Sequence, residues 1–289
     1  MRLLLLLSAS LLSISVYAGD ADFQGTWQGV LIRAGQSLDE GTIVYADFEI
    51  SDGALTGYMR EENYNTEYFA IKQIKGKRKN EKLLFEQTVI EDDNSAFRSK
   101  WCMLKGEFEY DPEKGYLNGS FSSTDCGRMS GKLILYKQEF NISKGDQSHA
   151  THSWFQGFVR DYNDGLSAPL IRKKERENFV FEPIYFDFDK AEIRDEHKEF
   201  LDKLVKVVKG HSDLRVLVIG HTDSEGSNGY NDELSKRRAE AIIRYFVDNG
   251  LSKDRLKFDF KGETVPAATN DTAEGRQRNR RVDFEFIQH

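Results

Sequence analysis

The chain has 289 residues, with 41 Lys and Arg against 48 Asp and Glu, which gives a formal net charge of −7. Because nucleic-acid binding depends mainly on the density of Lys and Arg, this acidic balance argues against a nucleic-acid partner. After residue 18, charged residues interrupt every stretch long enough to span a bilayer, so the sequence predicts no further membrane helix. The length exceeds that of a usual single domain, and two domains are expected.

The first 18 residues have the pattern of a secretory signal peptide. Met1-Arg2 supplies a positive charge, residues 3–16 are almost entirely apolar, and Val16-Tyr17-Ala18 resembles a signal-peptidase site. The alternative, a membrane anchor, needs about 18–20 apolar residues followed by a polar stop. No Cys follows the apolar run where a bacterial lipoprotein would be acylated. We therefore expect export to the periplasm and cleavage after Ala18.

Residues 19–140 read as short strands separated by Gly, Asn and Asp turns, which predicts an all-β domain. In one of them Val44, Ala46, Phe48 and Ile50 share a face, the period of a half-buried strand. The predicted strands are Thr26–Arg33, Thr42–Ile50, Ala54–Arg60, Glu67–Ile74, Lys82–Ile90, Phe97–Tyr110, Tyr116–Ser123 and Met129–Tyr136. About eight antiparallel strands favour a small barrel or sandwich.

Two more specific interpretations of this β-domain remain open. The opening Phe23-x-Gly25-x-Trp27 resembles the start of lipocalin-type barrels and would imply an internal ligand cavity, although a Trp in a first strand is usually a core residue. A membrane-embedded barrel would need a lipid-facing apolar set on strands of about 9–11 residues. The strand Glu67–Ile74 does not supply that set cleanly, because Lys72 interrupts it.

The two cysteines of the chain, Cys102 and Cys126, are expected to form a disulfide. An even number of Cys in an exported protein favours this pairing over metal binding. The closed loop would stabilise the fold by roughly 3 kcal/mol.

Residues 141–178 are polar and weakly periodic and are predicted to be a linker. Within them, Ser153-Trp154-Phe155 is expected to pack on one of the domains. The charged run from Arg172 to Glu177 is interpreted as a solvated helical or extended segment.

Residues 179–289 combine strand and helix patterns. Asp195–Lys209 and Asn231–Asn249 have apolar residues at helical spacing, and each is followed by a Gly that favours a helix end. The predicted strands are Pro183–Asp187, Leu214–Ile219, Arg255–Lys261 and Arg281–Phe286. The order β-α-β-α-β-β predicts an α+β domain with helices on one face of a mixed sheet.

Four motifs follow one another in this domain. They are Tyr185-Phe186-Asp187-Phe188-Asp189-Lys190, Gly220-His221-Thr222-Asp223-Ser224-Glu225-Gly226, Tyr230-Asn231-x-x-Leu234-Ser235-x-x-Arg238-Ala239 and Gly275-Arg276-x-x-Asn279-Arg280-Arg281-Val282. Together they resemble the outer membrane protein A-like (OmpA-like) peptidoglycan-binding domain, which also occurs in peptidoglycan-associated lipoproteins and flagellar stator proteins. The resemblance covers about residues 181–287 and does not extend to residues 19–140.

The resemblance implies that Asp223 and Arg238 hold the diaminopimelate of the peptidoglycan stem peptide. The chemistry is suitable, because a guanidinium can bind a carboxylate with two parallel hydrogen bonds while a carboxylate pairs with the ammonium group. The alternative is an internal Asp–Arg salt bridge without a ligand. Five further residues match the family pattern and are candidates for the pocket, although each can instead be explained by packing, capping or an internal ion pair: Phe186, Asp187, Asn231, Leu234 and Arg281.

No enzymatic motif is recognisable in the sequence. His221 lies near Asp223, but no activated Ser or Cys nucleophile accompanies them. The six His residues show no zinc-ligand spacing, so neither a metal nor a cofactor is expected. The leading hypothesis is a non-catalytic cell-envelope protein that tethers its β-domain to peptidoglycan at the cell wall or outer membrane. The alternatives are a wall-located module that binds a small ligand or an outer-membrane or periplasmic protein, and an integral outer-membrane barrel.

Overall fold

The computed structural model describes residues 19–96, 100–139 and 152–288, and the chain divides into two compact units between Ile171 and Arg172. The predicted signal peptide lies outside the described residues. Within the described ranges, no helix combines the length and the apolar character needed to cross a membrane.

The first unit contains a closed barrel of eight antiparallel strands, in which every strand pairs with its neighbours in sequence and β1 pairs with β8. The strands are β1 Gly25–Arg33, β2 Thr42–Ser51, β3 Ala54–Glu62, β4 Phe69–Lys79, β5 Lys82–Asn94, β6 Leu104–Asp111, β7 Tyr116–Ser123 and β8 Ser130–Lys137. The predicted all-β domain of about eight strands is confirmed, and the barrel is realised rather than the sandwich.

The predicted strand Phe97–Tyr110 begins later than expected, at Leu104. The residues before it make other bonds: Cys102 forms a disulfide with Cys126, with an S–S distance of 2.05 Å, and the amide of Met103 donates to Asp125 at 2.8 Å. These contacts draw the chain out of the strand ladder. The predicted disulfide is confirmed, while Phe97 lies outside the described residues.

Apolar side chains occupy the inside of the barrel. Trp27 is fully buried in this cluster, and its indole Nε1 donates to the carbonyl of Phe23 at 2.8 Å. Phe23 belongs to the short helix α1 (Asp20–Phe23), which packs at one end of the barrel. This arrangement favours the interpretation of Trp27 as a core residue.

Lys72 also points inward, which explains why it interrupts the apolar face of its strand. It is fully buried and donates to Glu61 and to the carbonyl of Cys102, both at 2.7 Å. Gln87 donates to the same carboxylate at 2.6 Å. The outward positions on β4, β5 and β6 carry exposed charges, including Lys75, Lys77, Glu86 and Lys105.

Part of the predicted linker packs against the outside of this barrel. Helix α2 (Phe155–Asn163) buries Phe155 and Phe158 in a cluster with outward side chains of the barrel, including Tyr136. Trp154 joins this cluster and donates to the hydroxyl of Tyr45 at 3.1 Å. The expected packing of the Trp-Phe pair on a domain is therefore observed. The part of the linker before His152 lies outside the described residues.

The second unit has a four-stranded mixed sheet in the order β11-β10-β12-β9, in which only β10 and β11 are parallel. Its elements follow helix α3 (Pro169–Glu177) and are β9 Ile184–Tyr185, α4 Lys198–Lys209, β10 Leu214–Gly220, α5 Asn228–Asp248, β11 Leu256–Phe260, α6 Ala273–Asn279 and β12 Arg281–Gln288. One face of the sheet packs against α4 and α5. The predicted α+β fold is confirmed, with α6 as an additional helix.

Candidate functional site

The candidate site lies where β9 and β10 end. Both strands run antiparallel to β12, so their carboxyl ends lie at the same edge of the sheet. Helix α5 begins at Asn228, earlier than predicted, because Ser227 caps it by accepting from the amide of Tyr230. At the end of β10, a Cβ on Gly220 would lie 2.0 Å from the carbonyl oxygen of Ser235, so the helix packs directly on the strand. This contact places Arg238 over the strand ends.

Arg238 joins the loops that follow these strands. It is fully buried, and its Nε donates to the carbonyl of Lys190 at 2.9 Å. Nη1 donates to the carbonyl of His221 at 2.9 Å and Nη2 to that of Asp187 at 3.2 Å. The guanidinium carbon lies 5.3 Å from the centre of the Phe186 ring, a cation–π contact. The guanidinium therefore holds the segment 186–190 and the segment after β10 in one arrangement.

Asp223 lies nearby, but its direct ion-pair partner is Arg280. Oδ2 of Asp223 is 2.7 Å from Nη1 of Arg280, and Oδ1 accepts from the amide of Glu225 at 3.2 Å. Burial lowers the pKa of Arg238 to about 10; the charge of Asp223 opposes this shift, and that of Arg280 adds to it. Arg238 thus remains a cation at neutral pH, within electrostatic range of Asp223.

Arg280 is the residue of this site that the sequence-based assignment omits. It stands beside Arg281 in the fourth motif, and adjacent residues at the start of a strand point in different directions. The strand phase decides which of the two faces the site, and the motif does not give that phase. Arg276 of α6 pairs with Glu225 at 2.9 Å, so α6 and the Arg280 that follows it hold the Asp223 loop through two cations.

Asn231, in the first turn of α5, is fully buried beside this loop. Its Nδ2 donates to the carboxylate of Glu263, while its Oδ1 has no partner among the described residues. Oδ1 lies 3.4 Å from where a Cβ on Gly226 would be, so it faces the loop of Asp223. The buried hydroxyl of Thr222 also lacks a partner within the described ranges. Buried polar atoms normally have partners, so these two atoms beside the Asp223 loop are candidates for contact with a ligand.

Three other predicted residues occupy different positions around Arg238. Phe186 is fully buried in the apolar core beneath the guanidinium. The carboxylate of Asp187 is half exposed and lies 3.5 Å from Nζ of Lys190. Leu234 is buried on α5. Phe186 and the carbonyl of Asp187 therefore support Arg238, and the carboxylate of Asp187 is accessible at the rim.

The structure does not bring Arg281 to Asp223. Its Nε lies 2.9 Å from Oδ2 of Asp283, and its Nη2 donates to the carbonyl of Val265 at 3.3 Å. The ring of His221 pairs with the same Asp283 at 3.3 Å. Although burial acts to raise it, the pKa of Asp283 is lowered by the hydrogen bond with His221 and the charge of Arg281. Arg281 thus belongs to a separate ion-pair cluster.

The fold and these motifs define a family. Residues 185–280 match the OmpA family, and the chain belongs to this family through its second unit. The peptidoglycan-associated lipoprotein of Pseudomonas putida is 36% identical over 159 residues, which cover 53% of this chain and 95% of that protein. Outer membrane protein A of Bordetella avium is 39% identical over 103 residues, covering 36% of this chain and 53% of that protein.

The peptidoglycan-binding protein ArfA of Mycobacterium tuberculosis is 38% identical over 102 residues, covering 35% of this chain and 31% of that protein. The chain thus spans about half the length, or less, of several relatives that it matches. Among solved structures, the peptidoglycan-associated lipoprotein of Burkholderia pseudomallei has a TM-score of 0.36 at 28% identity. The match covers 36% of this chain and 89% of the chain of that lipoprotein.

Proposed function

We propose that this chain is a non-catalytic cell-envelope protein that binds peptidoglycan non-covalently through its second unit. Membership of the OmpA family supports this proposal, as do relatives whose names denote peptidoglycan association or binding. Relatives named as outer membrane proteins or as peptidoglycan-associated lipoproteins support a location in the cell envelope. Within the site, the arrangement of side chains suits recognition of a charged ligand.

The observation that carries the proposal is the placement of Asp223 and Arg238 at one edge of the sheet. Diaminopimelate, the diamino acid of many stem peptides, ends in an ammonium and a carboxylate group. Asp223 still has acceptor positions beside Arg280, and Oδ1 of Asn231 adds a neutral acceptor for the ammonium. A guanidinium has five N–H donors, of which Arg238 uses three on carbonyl groups. Its remaining donors are suited to the carboxylate.

Binding to purified sacculi tests this proposal. The wild-type protein should co-sediment with them, and a diaminopimelate-containing stem peptide should compete. Asp223→Asn keeps the shape of the side chain but removes its charge. We therefore expect its affinity for sacculi to fall at least about tenfold. Arg244→Ala, on the exposed face of α5, removes a charge outside the pocket and is the control that should bind normally. Unchanged pelleting of Asp223→Asn would contradict the assignment of the pocket.

We further propose that the barrel faces water and is held at the wall by the second unit. The exposed charges on β4 to β6 support this part, because a lipid-facing barrel carries an outward apolar band. Carbonate extraction of envelope membranes should release the protein. Retention in the membrane pellet after sacculus digestion would instead support the integral barrel. The remaining alternative is that the barrel binds a partner protein or a small ligand. Crosslinking of the Asp223→Asn variant in cells would detect a partner protein independently of wall binding.

A further inference from the structure

Two aromatic side chains project from the rim of the candidate site. Phe188 is 57% exposed in the loop after β9, and Tyr230 is 44% exposed in the first turn of α5. Phe188 lies in the segment whose carbonyl groups bond to Arg238, and Tyr230 immediately precedes the buried Asn231. Exposed large apolar side chains beside a polar pocket indicate a contact surface.

The backbone around Phe188 is fixed. The carbonyl groups of Asp187 and Lys190, on either side of it, both accept hydrogen bonds from Arg238. Because Arg238 is fully buried, these bonds are shielded from water. The ring therefore projects from an ordered turn, and little backbone entropy is lost when a ligand packs on it.

Tyr230 connects the two loops of the site. Its hydroxyl donates to the carboxylate of Asp189, next to Phe188. At the other side, a Cβ on Gly226 would lie 3.3 Å from Cδ1 of the Tyr230 ring, so the ring packs close to the Asp223 loop. The aromatic rim, defined as Phe188 and Tyr230, is thus continuous with the proposed pocket.

The surroundings of this aromatic rim suit a sugar ring. The C–H groups of a pyranose carry weak positive charge and pack on the negative face of an aromatic ring. The carboxylates of Asp187 and Asp189 flank Phe188, and both are accessible as acceptors for hydroxyl or amide donors. Peptidoglycan joins its stem peptide covalently to an amino sugar, so a stem peptide held at Asp223 tethers a pyranose ring within a few residues' length of this rim.

We propose that Phe188 and Tyr230 pack against an amino-sugar ring of the glycan strand while the charged pocket holds the stem peptide. This inference rests on the proposed function and extends it from the peptide to the sugar. It makes a muropeptide, which contains both parts, the better ligand of the second unit.

Calorimetric titration of the full chain with two ligands tests the inference. One ligand is a disaccharide carrying a diaminopimelate stem peptide, and the other is the same peptide without sugar. Phe188→Ala should bind the disaccharide ligand about three- to tenfold more weakly, and bind the free peptide as the wild type does. Tyr230→Ala removes the second ring and should likewise lose affinity for the disaccharide ligand. Phe258→Ala, which changes a 43% exposed Phe on β11, is the matched control and should affect neither ligand.

The outcomes separate this inference from the proposed function. Equal losses for both ligands in Phe188→Ala would mean that the ring contacts the peptide, and no loss for either would mean that it contacts nothing; each overturns the inference while wall binding stands. Failure of the wild type to bind either ligand would overturn both. Thermal unfolding of Phe188→Ala should match the wild type, because the exposed ring contributes little to the core.

Discussion

Arg280 and Asp223 form a salt bridge with Nη1 2.7 Å from Oδ2, and both side chains are largely buried. Removal of Arg280 would leave the buried Asp223 carboxylate without its ion-pair partner. We expect Arg280→Ala to destabilise the second unit by about 2–4 kcal/mol and to weaken binding of the stem peptide. Urea unfolding and titration measure the two effects.

Arg281→Ala provides the comparison for this prediction. It breaks the ion pair with Asp283 and should also destabilise the fold, yet leave peptide affinity near that of the wild type. If Arg281→Ala abolished binding while Arg280→Ala did not, the sequence-based choice of Arg281 would be preferred over the structural one.

Replacement of Arg238 should affect the fold as well as the ligand. Arg238→Lys keeps the charge but cannot reach the three carbonyl groups that the guanidinium bonds. Because buried carbonyl groups lose their hydrogen bonds, we expect the free energy of unfolding to fall by at least about 2 kcal/mol. Hydrogen exchange of the amides in residues 186–190 should accelerate, because this loop loses its anchor. Unchanged exchange would show that the loop is held by other contacts.

The disulfide should stabilise the barrel alone. Cys102→Ser with Cys126→Ser removes a crosslink between residues separated by 24 positions, and the expected loss is about 3 kcal/mol. Calorimetry should show a lower melting temperature for the barrel transition and an unchanged one for the second unit. Reductant added to the wild type should reproduce this result, and equal shifts in both transitions would contradict it.

The buried ion pair between Lys72 and Glu61 predicts that substitutions at these two positions have non-additive effects on the stability of the barrel. Lys72→Met leaves Glu61 buried without its cation and should destabilise the barrel by about 3 kcal/mol. The double variant with Glu61→Gln should recover part of this loss, because the uncompensated charge is then removed. Additive losses in the double-mutant cycle would show that the two side chains are not energetically coupled.

Local periodicity was sufficient to predict most elements. The alternation in Val44–Ile50 and the helical spacing in α4 depend on which face is buried, and that can be read from neighbouring residues. The closure of the barrel could not be read this way, because it depends on pairing between distant residues such as Gly29 and Leu135. The packing of Trp154 and Phe155 on a domain was expected, but the surface they cover was not, because residues such as Tyr45 make the outer side of the barrel apolar as well.

In the site, the motifs identified Asp223 and Arg238, and the structure brings both to one edge of the sheet. Their contacts were not predictable, because the acceptors of Arg238 are backbone carbonyls, which every sequence contains. The partner of Asp223 depended on where β12 begins, because Arg280 immediately precedes the strand and Arg281 is its first residue. Side-chain chemistry was therefore predictable, and hydrogen-bond partners were not.

Acid should weaken the packing of the α2 segment on the barrel. Burial acts to raise the pKa of Glu62, but the hydrogen bonds from His152 and Arg60 outweigh it and hold the pKa below its ordinary value of 4.5. A carboxyl group with a lowered folded-state pKa stabilises the fold above its unfolded-state pKa, and this contribution is lost as the pH falls through the folded-state value. Urea unfolding should therefore show wild-type stability falling below about pH 4.5 more steeply than that of Glu62→Gln, with the two curves converging in acid. Parallel curves would mean that Glu62 does not carry this pH dependence.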